Sequence, residues 1–406
     1  MIIKILILIS YIIENIFDFV LVKLNDSYVK KPLPENVKDV YDEDKYNKWI
    51  NYRNDSKKFS ALQTLISAGI TLLIYIFNVH SKIFGIFKFN QYISNILLIL
   101  VFMLFETILS IPFSYYSNFV IEEKYGFNKT TIKTFIIDII KEFVIGSILT
   151  IGLVSVITFL FEMFHNWGIL FTIVLVILFN LFVSLFSLTF LKIFNKFTPL
   201  EDGELKTMLT ELCEKYNVKL KGIYVMDASK RTTRANAFCT GFAKKTISLD
   251  DNLVNNYSND KIVAVFAHEF GHAKHKHTVR TMWFAFFRIA ILILSLGVIL
   301  NFPIICQSFG FEGVNYFFAF TILSTISWPL STLFDFISNK ISRKFEYQAD
   351  AFAAQEGYGE SLIGALKQLS RDALTNLNPH PFVVALEHSH PTLSQRIDAI
   401  HKKEEE

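Results

Sequence analysis

The sequence predicts a mainly α, polytopic membrane protein with seven transmembrane helices and a small polar part holding a few short strands. Three observations carry this. Seven apolar runs are each long enough to cross about 30 Å of hydrocarbon as a helix. Of the 406 residues, 52% are hydrophobic and only 19% charged, a balance unlike that of ordinary soluble domains. The polar residues gather in two stretches, 196–281 and 338–406. The formal net charge is only +3, and the basic residues form no stripe of the kind phosphate binding needs, which excludes nucleic acid as a partner. Cys213, Cys239 and Cys306 are far apart, odd in number and without a CxxC pair. They predict neither a disulfide framework nor a cysteine metal site.

The first span, Ile5–Val22, is interrupted by Glu14 and Asp18, which share one helical face. No small-residue cleavage site follows it, so it reads as a retained helix rather than a signal peptide. Spans two to five follow at Ala61–Val79, Ile93–Tyr116, Phe135–Phe161 and Ile169–Phe190. His165 to Gly168 form a tight interfacial turn between the fourth and fifth. In the polar stretch that follows, Pro199–Tyr216 reads as an amphipathic helix, with Leu205, Leu209, Leu212 and Tyr216 on one side. Three strand-like runs come next, Gly222–Met226, Ala235–Thr240 and Thr246–Leu249. A further helix starts after Asn259 or Asp260, a good N-cap, and continues through Lys276. Spans six and seven are Met282–Phe302 and Tyr316–Ile337, and the remainder is helical with Gly and Pro breaks. The chain thus divides into 1–195, 196–281, 282–337 and 338–406.

Loop charge gives the spans a sidedness. The loop after span one carries Lys30, Lys31, Lys38, Lys45, Arg53 and Lys57, and the loop after span three Lys124, Lys129 and Lys133. The segment after span five and the tail after span seven are also rich in Lys and Arg. The intervening loops hold little more than Lys82 and Lys88. An excess of positive charge marks the cytoplasmic side. With seven crossings the N-terminus is lumenal, and the large loop and tail are cytosolic. Glu106, Arg288 and Asp335 fall inside or beside spans, where charge is expensive. Structural ion pairs and a hydrated chamber are both open readings.

The chemistry-bearing motif is His268-Glu269-Phe270-Gly271-His272. Residues four apart on a helix share a face, so both imidazoles can reach one cation. Glu269 follows the first ligand directly and can act as the general base. A zinc ion acidifies water to a pKa of roughly 7. Glu269 then takes a proton from the attacking water and delivers it to the leaving amine. A catalytic zinc site needs a third protein ligand. Glu346, in Glu346-Tyr347-Gln348-Ala349-Asp350, can supply it. Asp350, one turn further on, can accept the free ring N–H of a ligating histidine. His275 and His277 offer an alternative three-His site, but on one helix the third imidazole drifts along the axis. His390, in Ser389-His390-Pro391, could donate to an oxyanion, although its spacing alone marks a surface histidine.

Together these residues resemble the type 1 CAAX prenyl proteases, integral-membrane zinc endopeptidases that process farnesylated proteins. Ile121 to Lys129, Pro199 to Leu205, and Arg231 to Phe238 with Asn236-Ala237-Phe238 resemble family segments. So do His268–His272, Glu346–Asp350 and Ser389-His390-Pro391 with Arg396, in the family's order along nearly the whole chain. The resemblance implies seven helices around a large water-filled chamber, with one zinc ion per chain near the cytosolic face. It implies removal of the last three residues of prenylated CAAX proteins at the endoplasmic reticulum membrane, and in some members a second, upstream cut. Asn236 and Ala237 would hold substrate as an added strand. His390 and Arg396 would steady the tetrahedral intermediate, and Asp350 would support the metal. The lipid bilayer and prenylated substrates are the implied partners, with no obligate protein partner. Arg234 stands where animal and fungal members usually have His. Lys403 stands alone where a dilysine retrieval signal needs two lysines. The rival reading is a membrane quality-control zinc protease of the heat-shock type, usually shorter and with fewer spans. A non-catalytic scaffold would not need Glu269.

Overall fold

A computed structural model describes residues 1–240 and 245–405. Six helices in it are long and apolar enough to cross a membrane, and one bent pair, counted as a single broken span, gives a seventh. The six are Ile2–Tyr28, Glu43–Ile76, Gln91–Tyr116 with its extension to Glu122, Ile132–Phe164, Gly168–Leu185 and His277–Asn301. Short polar side chains start several of them. Asp42, Asn90, Thr131 and Asn315 each accept a backbone N–H three residues on, at 2.7, 3.0, 3.1 and 2.9 Å, satisfying donors that a helix start leaves free.

Several boundaries differ from the sequence expectation, mostly for local reasons. The second crossing is the far part of a 34-residue helix, Glu43–Ile76, which begins well outside the apolar run. It stops because Asn78 turns left-handed, at φ 55°. The third continues beyond Tyr116 as one π-helical stretch, Ser117–Glu122. The fifth breaks at Phe186 and resumes as Ser187–Phe194, with no Gly or Pro at the break. The seventh is not one helix but Tyr316–Ile326 followed by Trp328–Gln355, bent by 59°. Pro329 is the cause: it cannot donate to the preceding turn, yet fits the first turn of a new helix. That new helix then runs unbroken from the bend, through residues 337 and 338, to Gln355.

The sheet is β1 (Phe197–Pro199), β2 (Leu220–Met226), β3 (Ala237–Thr240) and β4 (Lys245–Asp250). Its order is β1-β2-β4-β3, with β2 and β4 parallel and the outer pairs antiparallel. The sequence reading missed β1, whose three residues carry no periodicity. β1 also takes Pro199, so the amphipathic helix starts only at Glu204; Leu205, Leu209 and Leu212 are buried as expected. Among the described residues β3 pairs only with β4, leaving β3 at the sheet's edge.

One apolar core joins the loop after span one (Val37, Trp49), the loop after span three (Ile121, Phe127), the sheet segment (Leu249, Phe266) and the tail (Phe352, Ile400). These are the four segments that loop charge assigns to one side. A second core joins the other ends of the spans, through Ile7, Tyr75, Leu296, Phe309 and Phe318. Polar ties anchor the segment before β3. Lys129 N–H donates to Arg231 O at 3.0 Å, and Thr233 N–H to Phe127 O at 3.1 Å. Arg231 forks onto Asp138 of the fourth span at 2.9 and 3.1 Å. Arg234 pairs with Glu122 at 2.9 Å and lies over the Phe127 ring. A cavity of about 880 Å³ opens beside them, lined by Ser117, Asn118, Asp138, Glu142 and Arg231 among others. Arg288 and Asp335 form an ion pair at 2.5 Å between spans six and seven, whereas Glu106 lines a separate cavity of about 270 Å³ with Gln63 and His80.

Candidate metal centre

The helix Asn259–Lys274 buries Ile262, Val263, Phe266, Ala267 and Phe270. Apolar positions on most of its faces make it a core helix rather than a surface one. It starts one residue earlier than expected, with Ser258 at the N-cap position. It ends at Lys274, short of the expected Lys276, with His275 at the C-cap position, and Lys276 at φ 55° turns the chain into span six. The helix Trp328–Gln355 lies against it. A Cβ on Gly271 would meet Ala349 Cα at 3.0 Å and its carbonyl oxygen at 3.2 Å. Only small residues allow so close an approach, and it brings Glu346 to the histidine pair.

Nε2 of His268 and Nε2 of His272 lie 3.2 Å apart. Glu346 Oε2 is 3.4 Å from the first, and Oε1 is 3.2 Å from the second. These three residues form a group whose ligand atoms all lie within 4.8 Å of one another. Glu346 Oε2 is buried and has no hydrogen-bond partner among the described residues. Ligands held about 2.0 Å from a tetrahedral zinc sit roughly 3.3 Å from each other. The spacing therefore fits a cation, which would also satisfy the orphaned carboxylate oxygen. Two imidazoles and a carboxylate form a donor set that suits zinc.

Asp350 lies one turn beyond Glu346, with Oδ1 2.8 Å from His268 Nδ1. Arg396, buried on the C-terminal helix Leu393–Glu405, forks onto Asp350 at 2.6 and 2.9 Å. Its Nη1 stands 3.7 Å from Glu346. The guanidinium thus reaches the centre through the two carboxylates. Burial and the Arg396 charge disfavour the charged His268 ring, but the Asp350 and Glu346 carboxylates beside it outweigh them and push the pKa up to about 9.

Glu269 is half-buried and borders a cavity of about 490 Å³ with His272, Glu346, His390 and Cys239. His390 Nε2 is 3.5 Å from Glu346 Oε1 although the side chain is 62% exposed. Asn236 and Ala237 stand where the chain enters β3. Asn236 O accepts from Asp250 N–H at 3.0 Å, and the Asn236 side chain accepts from Ala237 N–H at 2.9 Å. Cys239 carries the same edge strand into the cavity. Burial, with a minor contribution from the Glu269 charge, pushes its thiol pKa up to about 11. All nine residues singled out from the sequence therefore lie at this centre or on the adjoining strand. His275 joins no ligand set and stacks on His277 instead. Sequence reasoning missed two supports. His277 sits 3.0 Å from His272, ring nitrogen to ring nitrogen, at a five-residue spacing that no helical pattern flags. Arg343 donates to the carbonyls of Val384, Ala385 and His388 at 2.8, 3.3 and 2.7 Å, fixing the turn that leads to His390. No sequence pattern marks it.

Residues 25–196 match a family described as CAAX prenyl protease N-terminal, five membrane helices, and residues 199–404 match peptidase family M48. The chain is 35% identical over 384 residues to a probable CAAX prenyl protease 1 of Schizosaccharomyces pombe, covering 88% of this chain and 80% of that protein. It is 31% identical over 402 residues to CAAX prenyl protease 1 of Saccharomyces cerevisiae, covering 91% and 88%. The crystal structure of S. mikatae Ste24p superposes with a TM-score of 0.92 at 29% identity, covering 98% of this chain and 99% of that one.

Proposed function

This chain belongs to peptidase family M48 and carries the CAAX prenyl protease N-terminal membrane part, and on that basis we propose that it removes the last three residues from prenylated CAAX proteins. It is a multi-pass membrane metallopeptidase. The observation that carries the proposal is the convergence of His268, His272 and Glu346 beside Glu269, in a cavity bordered by a strand that is the sheet's edge among the described residues. His268, His272 and Glu346 would hold one zinc ion, which when bound would polarise the scissile carbonyl and acidify water. Glu269 takes the proton from the attacking water and delivers it to the leaving amine. His390, at the cavity mouth, donates to the oxygen on which charge develops.

The substrate lies along β3 from Asn236 and Ala237 onward, as an added strand whose backbone is read by hydrogen bonds. Asp350 holds the His268 ring, and Arg396 holds Asp350. The geometry favours that role for Arg396 over direct contact with substrate, because the side chain is buried and its Nε and Nη2 both donate to Asp350. The enzyme sits in the endoplasmic reticulum membrane with this centre opening to the cytosol, the side that loop charge favours. Full-length enzyme in detergent should cleave a farnesylated CAAX peptide, lose that activity to a chelator and regain it with zinc. An unprenylated twin should be cleaved far more slowly. Equal cleavage of the two would favour a general membrane quality-control protease instead.

A further inference from the structure

The two histidine ligands are held in unlike ways. His268 Nδ1 faces the Asp350 carboxylate at 2.8 Å, and Arg396 backs that carboxylate. His272 has no carboxylate behind it. Its Nδ1 faces His277 Nδ1 at 3.0 Å, and His277 Nε2 faces Gln348 Oε1 at 2.9 Å. His277 is 3% exposed. Its ring lies flat on Phe345, with centroids 4.1 Å apart and planes 8° apart. The left-handed Lys276 just before it folds the chain back so that this ring meets His272 edge-on, with planes 75° apart. Phe345, Gln348 and Glu346 all ride on the same helix.

We infer that His277 is a positioning residue that fixes His272 in the tautomer able to bind metal through Nε2. The inference rests on the three-ligand reading above. The hydrogen count runs in one direction. With the Gln348 amide turned so that Oε1 faces the ring, His277 Nε2 donates to it and carries its ring's hydrogen. His277 Nδ1 is then a lone pair and accepts from His272 Nδ1–H. That leaves His272 Nε2 free of hydrogen, facing His268 Nε2 and Glu346 Oε1. The opposite polarity would put a hydrogen on His272 Nε2, aimed into the ligand set, and would block the site. A neutral imidazole–amide chain thus does for His272 what a carboxylate does for His268. Outer partners of this kind are typically worth about 10–100-fold in metal affinity.

The test is zinc affinity of the full-length protein in detergent, measured by competition with a chromogenic chelator, together with the visible spectrum of the cobalt-substituted form. His277→Phe keeps the flat ring on Phe345 and removes the acceptor. It should weaken zinc by about 10–100-fold and alter the cobalt bands. His277→Asn returns an acceptor close to the original Nδ1 and should restore affinity to within about threefold of wild type. Gln348→Leu, which leaves the His277 ring in place, should weaken zinc in the same direction and decides the matter if His277→Phe does not fold. Unchanged affinity in His277→Phe or Gln348→Leu would overturn the inference. So would equal weakening in His277→Phe and His277→Asn, since that marks a packing role. Glu346→Ala separates the two levels of argument. Zinc lost in that variant upholds the three-ligand site independently of His277, and zinc retained removes the premise.

Discussion

At the scale of single residues, Glu269 and Glu346 are carboxylates with opposite proposed duties, and substitution should separate them. Glu346 is buried against both imidazoles, while Glu269 is half-buried at the cavity wall. Glu269→Gln should retain full zinc by metal analysis and lose about 100-fold or more in kcat/KM, the scale expected of a general base. A variant that kept its turnover would remove Glu269 from that role. Asp250 makes a different point. It ends β4 buried, with Oδ1 unpartnered among the described residues. Burial, with the Asp251 charge beside it, raises its carboxyl pKa to about 7. A raised acid pKa means that the folded chain holds a proton which the unfolded chain has released, so stability falls as pH rises from about 4 to 7. Asp250→Asn should therefore melt higher than wild type at pH 8, and the gap should close at pH 5. The convergence of His268 and His272 on one point was legible in the sequence because i, i+4 spacing on a helix is a geometric statement. Asp250, His277 and Arg343 were not, because their roles depend on what the fold packs beside them.

At the scale of elements, two arrangements should respond to perturbation. The close approach of Gly271 to Ala349 sets how far Glu346 stands from the histidines. Gly271→Val should force the helices apart, weakening zinc and lowering the melting temperature, and Gly271→Ala should do less of both. A Gly271→Val protein that bound zinc normally would mean that the spacing is held elsewhere. The unpaired side of β3 makes a second claim. If substrate adds there as a strand, N-methylating a substrate amide that pairs with β3 should slow cleavage by about 10-fold or more, while methylation of the neighbouring amide should matter less. Strands β2, β3 and β4 could be read in advance from alternation and β-branched residues. β1 could not, because three residues have no period to detect. The bend at Ser327 was missed although Trp328-Pro329 is in plain view. Apolar length had been allowed to define the span, whereas proline chemistry ends one helix and starts the next.

At the scale of the whole molecule, the apolar crossings were legible because hydrocarbon thickness acts on the chain before any packing detail. The structure adds how the pieces are coupled. The helix that leads into the sixth crossing and the helix that leaves the seventh meet where His268, His272, Gly271, Glu346 and Asp350 converge, and Phe270 stacks on Phe352 beside them. The ligands are separated by more than seventy residues, two crossings and a bend. A cation bound there ties the membrane bundle to the sheet segment and, through Arg396, to the C-terminal helix. Anything that binds the folded state alone adds to its stability. Removing the metal should therefore do more than stop turnover. Chelated enzyme in detergent should melt lower by something on the order of 5–10 °C. Hydrogen exchange should quicken in residues 259–274 and 340–355, while the second core, around Phe309 and Phe318, stays protected. An unchanged melting curve in protein verified to be metal-free would mean that helix packing alone holds the two halves, leaving the ion a chemical role and no structural one.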